Sequence, residues 1–449
     1  MRSDVEVFDG DDDVPIVERV AAVDVAKASG MVCTRVPHAL LVGRRVTKVW
    51  QVAATTNAIL ELAVGLVEAG IERVVIESTS DYWRPFLYLF EAAGLTVWLV
   101  NARDVKQVPG RAKTDRIDAV WLAKLNERGM LRPSFVPPVE IRQLRDFTRL
   151  RSDLTQERSR HKQRVEKLLE DALIKLSIVA SDIFGVSGRA MLEALIGGER
   201  DPVVLAKMAR GRMRPKHGAL VEALNGRFDD HHAELARMLL DQIDSLSAKI
   251  EALTTRIGAM IDIIPAAAAP VCDDADADPV PDAGTMALSA LDRLDEVPGI
   301  GVRAAQVVIA EIGLNMGQFP TSDHLSSWVK LSPRTIQSGS KTRPGRTGKG
   351  NCYLKSVLGE AAIAAAKTDT FLGERYRRLV RRCGKQKALV AVERSIVVVI
   401  WHLLADPTAR FHDLGSDYFD KRLNNDRKTR NLVRQLQELG HQVTLTPAA

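Results

Sequence analysis

At 449 residues, with 46% hydrophobic and 27% charged side chains, the chain is too long for one core and has the make-up of a globular protein of several domains. A net charge of +6 is small for this length, so affinity for a polyanion has to come from local clustering. The scattered cysteines Cys33, Cys272, Cys352 and Cys383 form no CxxC pair and no zinc spacing, which points away from a disulfide framework or structural zinc and toward a reducing cytoplasm.

The acidic start, MRSDVEVFDGDDDVP, lacks the apolar core of an export signal. The longest apolar run, SIVVVIWHLLA, is too short to span a bilayer, so neither export nor membrane insertion is expected. After the tail (1–17), the β-rich runs VAAVDVAKASGMVCTRV and RRVTKVWQVAA predict a hairpin and a third strand. TNAILELAVGLVEAG then predicts a helix, RVVIEST a strand, WRPFLYLFEAAG a helix and LTVWLVN a strand. Three strands followed by βαβ crossovers is the order of a ribonuclease-H-like (RuvC-like) α/β domain over 18–138.

Residues 139–262 read as long helix. Ten Lys or Arg lie in the stretch from Glu140 to Leu176. Further on, Leu239, Ile243, Leu246, Ile250, Leu253, Ile257 and Met260 step by four and three, the seam of a coiled coil. That seam serves either a dimer, with a homodimer or tetramer as the expected assembly, or a helix hairpin inside one chain. PAAAAPVCDDADADPVPDAG lies within an acidic linker (263–288), a mostly helical domain follows (289–415), and the charged tail (416–449) predicts an amphipathic helix and a short strand.

Asp24 interrupts an apolar strand, where a charge is costly unless needed or paired, and Glu77 ends another strand. Asp115 and Asp118 share one face at the start of a helix, flanked by Arg111, Lys113 and Arg116. Taken alone, the pair reads as acids offsetting a helix dipole. In a ribonuclease-H-like domain all four carboxylates converge, and such a set suits Mg²⁺ or Mn²⁺ acting at a phosphodiester.

In the second half, LDEVPGIGVRAAQVVIAEIG resembles a helix-hairpin-helix, whose Gly299 and Gly301 would offer backbone N–H groups to a phosphate; the alternative is a plain turn between packed helices. Lys330 to Lys355 carries seven Lys or Arg and no acid, a flexible cationic loop suited to a phosphate backbone, with Arg334, Lys341, Arg343, Arg346 and Lys349 as contacts. Ser338 sits in it beside Gly339, and Tyr353 and Tyr376 are rival nucleophiles.

Asp24, Glu77, Asp115 and Asp118 in order, then PGIG, then SPRTIQSG and GKGNCYLK, resemble the DEDD-type transposases of the insertion sequence 110 group over roughly residues 18 to 415. The resemblance implies a RuvC-like domain, a coiled-coil middle and a C-terminal transposase domain that cut and join double-stranded DNA under guidance of a bridge RNA. It further implies that the four acids bind Mg²⁺ and that Ser338 forms a phosphoserine link to DNA, with Ser340 the nearest competitor. Lys349, Gly350, Asn351 and Leu354 match a family segment, whereas Lys355 and Ser395 stand where arginine or another basic residue is usual. A structure-selective RuvC-like nuclease and a silent nucleic-acid scaffold are the competing readings.

Overall fold

Small and β-branched residues in VAAVDV and in RVVIES build the centre of a sheet buried on both faces. In the computed structural model, which describes residues 17–41, 44–78, 80–101, 114–269, 288–333, 335–345, 347–421 and 425–445, the chain forms two compact units that meet in sequence at Val136 and Pro137. In the first unit β1 (Val20–Val25), β2 (Ser29–Pro37) and β3 (Arg45–Ala53) form an antiparallel meander. Helix α1 (Thr56–Glu68) leads to β4 (Arg73–Ser78), parallel to β1, and α2 (Trp83–Ala92) leads to β5 (Val97–Asn101), parallel to β4. The strand order is β3-β2-β1-β4-β5.

Val23 and Ile76 face α1 and α2, where Ile59, Leu66, Phe86 and Phe90 close one core. Ala22 and Val75 face the opposite way, onto Ala119 and Leu122 of α3 (Asp115–Glu127). Burial on both faces is why β1 and β4 read as almost unbroken apolar runs, each large side chain contributing about 1.5–3 kcal/mol.

The second unit is helical apart from one hairpin. α4 (Val139–Asp171) and α5 (Asp230–Asp262) run antiparallel, with Arg158 donating to Ser247 Oγ at 3.3 Å and His232 meeting Asp171 at 3.1 Å. Short helical segments between them cap the far end of the pair around Met191, Leu205 and Leu220. Of the predicted seam, Ile243, Leu246, Ile250, Ile257 and Met260 are buried, and Leu239 and Leu253 are half-buried. That seam packs on α4 of the same chain, forming a helix hairpin.

Beyond it follow α6 (Ala290–Asp295), α7 (Val302–Ile312), α8 (Ser322–Trp328), the hairpin strands β6 (Thr335–Ser338) and β7 (Lys341–Pro344), then α9 (Cys352–Ala365), α10 (Phe371–Cys383), α11 (Lys385–Ala405) and α12 (Asn425–Glu438). The tail thus holds the predicted helix, but no strand among its described residues. By length and composition α11 qualifies to cross a membrane, contrary to the expectation from its apolar run; here Val392, Ile396, Val397 and Ile400 are buried in the unit's interior. Residues 1–16 and 270–287, which hold most of the acidic tail and linker, lie outside the described residues.

One buried carboxylate ties this unit together. Glu311 on α7 is fully buried and takes both forks of Arg149 at 2.8 Å, lies 3.4 Å from Arg145 Nε, and accepts from Asn351 Nδ2 at 2.5 Å. Arg145 also donates to the carbonyls of Ala310 and Glu311, satisfying the end of α7. Three of the ten cations on the basic helix segment, Arg145, Arg149 and Arg151, are therefore spent inside the protein; Arg151 donates to Gln306 Oε1 at 2.5 Å. Breaking a buried pair strands a charge, so Glu311→Gln is expected to lower stability by about 3 kcal/mol or more in urea unfolding. Glu251→Gln, at the exposed end of a 4.0 Å pair with Arg303, should change it by under about 1 kcal/mol.

Candidate active site

In the first unit the register of two parallel strands sets the geometry. β1 and β4 pair from Val20 with Arg73 through Val23 with Ile76, and one further step brings Asp24 level with Glu77. Asp24 is the penultimate residue of β1, so both carboxylates sit at the C-terminal ends of neighbouring strands. Side chains alternate across a sheet, and Ala22 and Val75 face α3, so Asp24 and Glu77 point to that same face. Glu77 is 6% exposed and Asp24 half-buried.

Helix α3 is locked at its other end. Asn126, fully buried, donates from Nδ2 to the carbonyls of Ala21 and Arg73 at 3.2 Å each and accepts from Arg73 Nε at 2.7 Å. From there a helix climbs about 12 Å to residue 118, while β1 and β4 climb about 10–13 Å to Asp24 and Glu77. The first turn of α3 therefore arrives at the level of the strand-end carboxylates. Asp118 shares its helix side with Leu122, which packs on the sheet, and Asp115 with Ala119. The cap of this helix is Thr114, whose Oγ1 accepts from Ile117 N at 3.3 Å, so neither aspartate is needed for that role.

The backbone brings the four acids to one end of one face, but their side chains do not close on a point. Among the described residues no three carboxylate, imidazole or thiol groups form a metal-ligand set. Asp115 is exposed and Asp118 half-buried, so closure requires rotamer changes at the first turn of α3. The donor chemistry, four hard oxygen ligands with no thiol or imidazole, fits Mg²⁺ or Mn²⁺. Arg116 is exposed on the same turn; Arg111 and Lys113 lie outside the described residues.

In the second unit the cationic stretch is not a plain loop. β6 and β7 form an exposed hairpin whose two-residue turn is Gly339 and Ser340, with Ser338 paired to Lys341 and Ile336 to Arg343. Ser338 thus occupies the last strand position before the turn, open to solvent and level with a lysine. Lys349 is exposed further on, and Arg334 and Arg346 lie outside the described residues.

The segment after the hairpin is built for structure. Gly350 has φ +61°, and a Cβ there would lie 2.4 Å from the Val329 carbonyl oxygen. Asn351 caps α9 by accepting from the N–H groups of Tyr353 and Leu354 at 3.1 Å, while its Nδ2 reaches Glu311, and Leu354 is buried. These contacts give Gly350, Asn351 and Leu354 of the Lys-Gly-Asn-x-x-Leu stretch a structural role. Glu311, which sequence reasoning missed, carries the same signal that singled out Asp24: one acid in an apolar run.

Two other expectations change. Gly299 has φ +92° and a Cβ would come 2.2 Å from the Ala361 carbonyl oxygen, so this glycine permits close packing of the PGIG turn on α9. Of that turn, Gly301 stands exposed at the start of α7. The Tyr353 hydroxyl donates to Asp153 at 3.0 and 3.1 Å, and burial, followed by that hydrogen bond, raises its pKa, the opposite of what an activated nucleophile needs. Tyr376 is half-buried on α10.

Comparison with known proteins assigns the class. Residues 21–174 match a transposase family model of the DEDD type, and residues 291–377 match the model described as Transposase IS116/IS110/IS902 family. The two matches together cover more than half of the chain. The chain belongs to the IS116/IS110/IS902 family of transposases. It is 32% identical over 117 residues to the 43.6 kDa protein of insertion element IS110 from Streptomyces coelicolor, covering 26% of this chain and 29% of the relative. It is 28% identical over 307 residues to a protein of Sinorhizobium fredii named as a transposase, covering 65% and 66%. The matched stretches thus span less than two thirds of either relative.

If Gly299 serves packing, Gly299→Ala should cost about 2 kcal/mol or more in chemical unfolding, with melting temperature falling before any loss of nucleic-acid affinity. Unchanged stability with weakened binding would return the turn to a phosphate-contact role.

Proposed function

We propose that the chain is a DNA recombinase that mobilises an insertion sequence. In this reading the first unit is a ribonuclease-H-like domain whose Asp24, Glu77, Asp115 and Asp118 hold Mg²⁺ or Mn²⁺, and Ser338 forms a transient covalent bond to DNA. The observation that carries it is the level pair Asp24 and Glu77 on the sheet face that also receives the first turn of α3. Two acids side by side at the ends of buried strands repel, and a cation offsets that cost.

When bound, the divalent ion supplies charge neutralisation at a phosphodiester and at its leaving oxygen. The chain's own residues do the rest. The Ser338 oxygen attacks phosphorus, its proton passing to a carboxylate or water; an O–P bond forms, and the bond from phosphorus to the departing deoxyribose oxygen breaks as that oxygen takes a proton. Because bond energy is kept in the phosphoserine ester, a deoxyribose hydroxyl of another strand can reverse the step and join DNA. Lys341, Arg343 and Lys349 stabilise the added negative charge and grip the backbone without reading bases. Choice of sequence falls to pairing with a guide (bridge) RNA, a reading supported by the family resemblance.

With DNA carrying the element ends and Mg²⁺, a denaturant-resistant protein–DNA adduct is expected, and Ser338→Ala should abolish it and slow strand exchange by about a thousandfold or more. Nicked ends without any adduct would identify a hydrolytic nuclease instead. Calorimetry should show Mn²⁺ binding that disappears in both Asp24→Asn and Asp118→Asn; binding retained in both variants would remove the acidic set as the metal site.

A further inference from the structure

Helices α10 and α11 and the segment 409–414 enclose a cavity of about 580 Å³ that neither the acidic set nor the serine hairpin uses. Its lining joins the apolar Phe371, Val398, Val399 and Phe411 to the charged Arg375 and Arg394. Two further charged lining residues are engaged elsewhere: Arg410 pairs with Glu296, and Asp413 accepts from the Phe371 N–H. A volume of this size, with apolar surface set among several polar side chains, suits a small organic group with a fixed orientation.

The arginines are the informative part. Arg375 Nε is buried and has no hydrogen-bond partner among the described residues. Burial, and then the nearby Arg394 and Arg378 guanidiniums, lower the Arg375 pKa, so three cations crowd one place at a cost that an anion would relieve. Arg394 is held by Asp323 at 2.8 Å, which leaves Arg375 as the inner unmatched charge. Aromatic rings continue beside the apolar wall: Phe371 stacks on Phe419 with centroids 5.2 Å apart, and the Arg378 guanidinium lies 3.8 Å over Phe419. An apolar slot with adjoining arginines and aromatics is how proteins hold an unstacked base together with its phosphate.

We propose that this cavity takes one unpaired nucleotide of a nucleic-acid strand, its base among Phe371, Val399 and Phe411 and its phosphate on Arg375 and Arg394. The proposal rests on the reading of the chain as a nucleic-acid enzyme and deepens it, because strand exchange and guide pairing both expose unpaired nucleotides. Ser395, where the family resemblance leads one to expect a basic residue, lines the same cavity and donates to the Ala391 carbonyl of its own helix at 3.0 Å. A side chain of that size keeps room for the base.

The test uses the full chain in EDTA, so that metal chemistry and Ser338 play no part. Affinity is measured for oligothymidylate, oligouridylate, abasic DNA and RNA strands of the same length, and duplex DNA. Wild type should bind at least one base-bearing strand about tenfold more tightly than its abasic counterpart. Arg375→Gln and Val399→Trp should each erase that preference while keeping duplex affinity, whereas Arg381→Gln, an equal loss of charge at an exposed position of α10, should preserve it. A preference confined to thymidylate makes the occupant DNA, one confined to uridylate makes it RNA, and one shared by both makes it either strand. No preference in wild type, or a preference that survives in both cavity variants, would overturn the proposal. Such a failure would leave the covalent chemistry standing, and loss of the adduct chemistry would leave this binding result intact.

Discussion

The parallel register of β1 and β4 is the constraint on which the first unit turns. Once Val23 is paired with Ile76, Asp24 and Glu77 have to stand level, and the alternation of a strand forces them onto the face covered by α3. A one-residue slip between these two strands would put Asp24 and Glu77 on opposite faces, one of them toward the core formed by Phe86 and Phe90. The buried Asn126 bridge to Ala21 and Arg73 then fixes how far α3 extends, and with it the height at which Asp115 and Asp118 arrive. Packing thereby sets the backbone positions of four acids at one end of one sheet face.

A comparable logic operates in the second unit, with Glu311 in the central place. One fully buried carboxylate joins α4 through Arg149 to the N-terminal cap of α9 through Asn351. The chain between α8 and α9 is consequently anchored at Gly350 and Asn351, while the hairpin it carries is exposed along both strands. A two-stranded hairpin with no core of its own is only marginally stable in water. Its cations, Lys341 and Arg343, are carried on an exposed hairpin whose base is fixed.

Much of this was legible in the sequence because the signals were energetic. Asp24 declared itself as a charge in an apolar strand, and the strand and helix order of the first unit followed from periodicity that two-faced burial imposes. What stayed hidden depended on contacts between distant segments. The seam from Leu239 to Met260 reads alike for a dimer and for a hairpin, since only the position of α4 decides between them. The basic helix gave no sign that some of its cations are spent internally, because the pairing of Arg149 with Glu311 spans 162 residues. The Ala361 carbonyl packed against Gly299 is a contact that nothing local reveals. Tyr353, a rival to Ser338 as nucleophile, is disfavoured by burial and by a hydrogen bond to Asp153 that no local pattern announces.

The central claim is that one particular hydroxyl in an exposed hairpin carries DNA covalently. The most direct measurement is mass spectrometry of the denatured, nuclease-trimmed and proteolysed protein–DNA adduct, locating the residue that bears the nucleotide remnant. The account predicts a phosphodiester-linked nucleotide on Ser338. A remnant on Ser340, Tyr353 or Tyr376, or an adduct-free protein from a reaction that has exchanged strands, would contradict it.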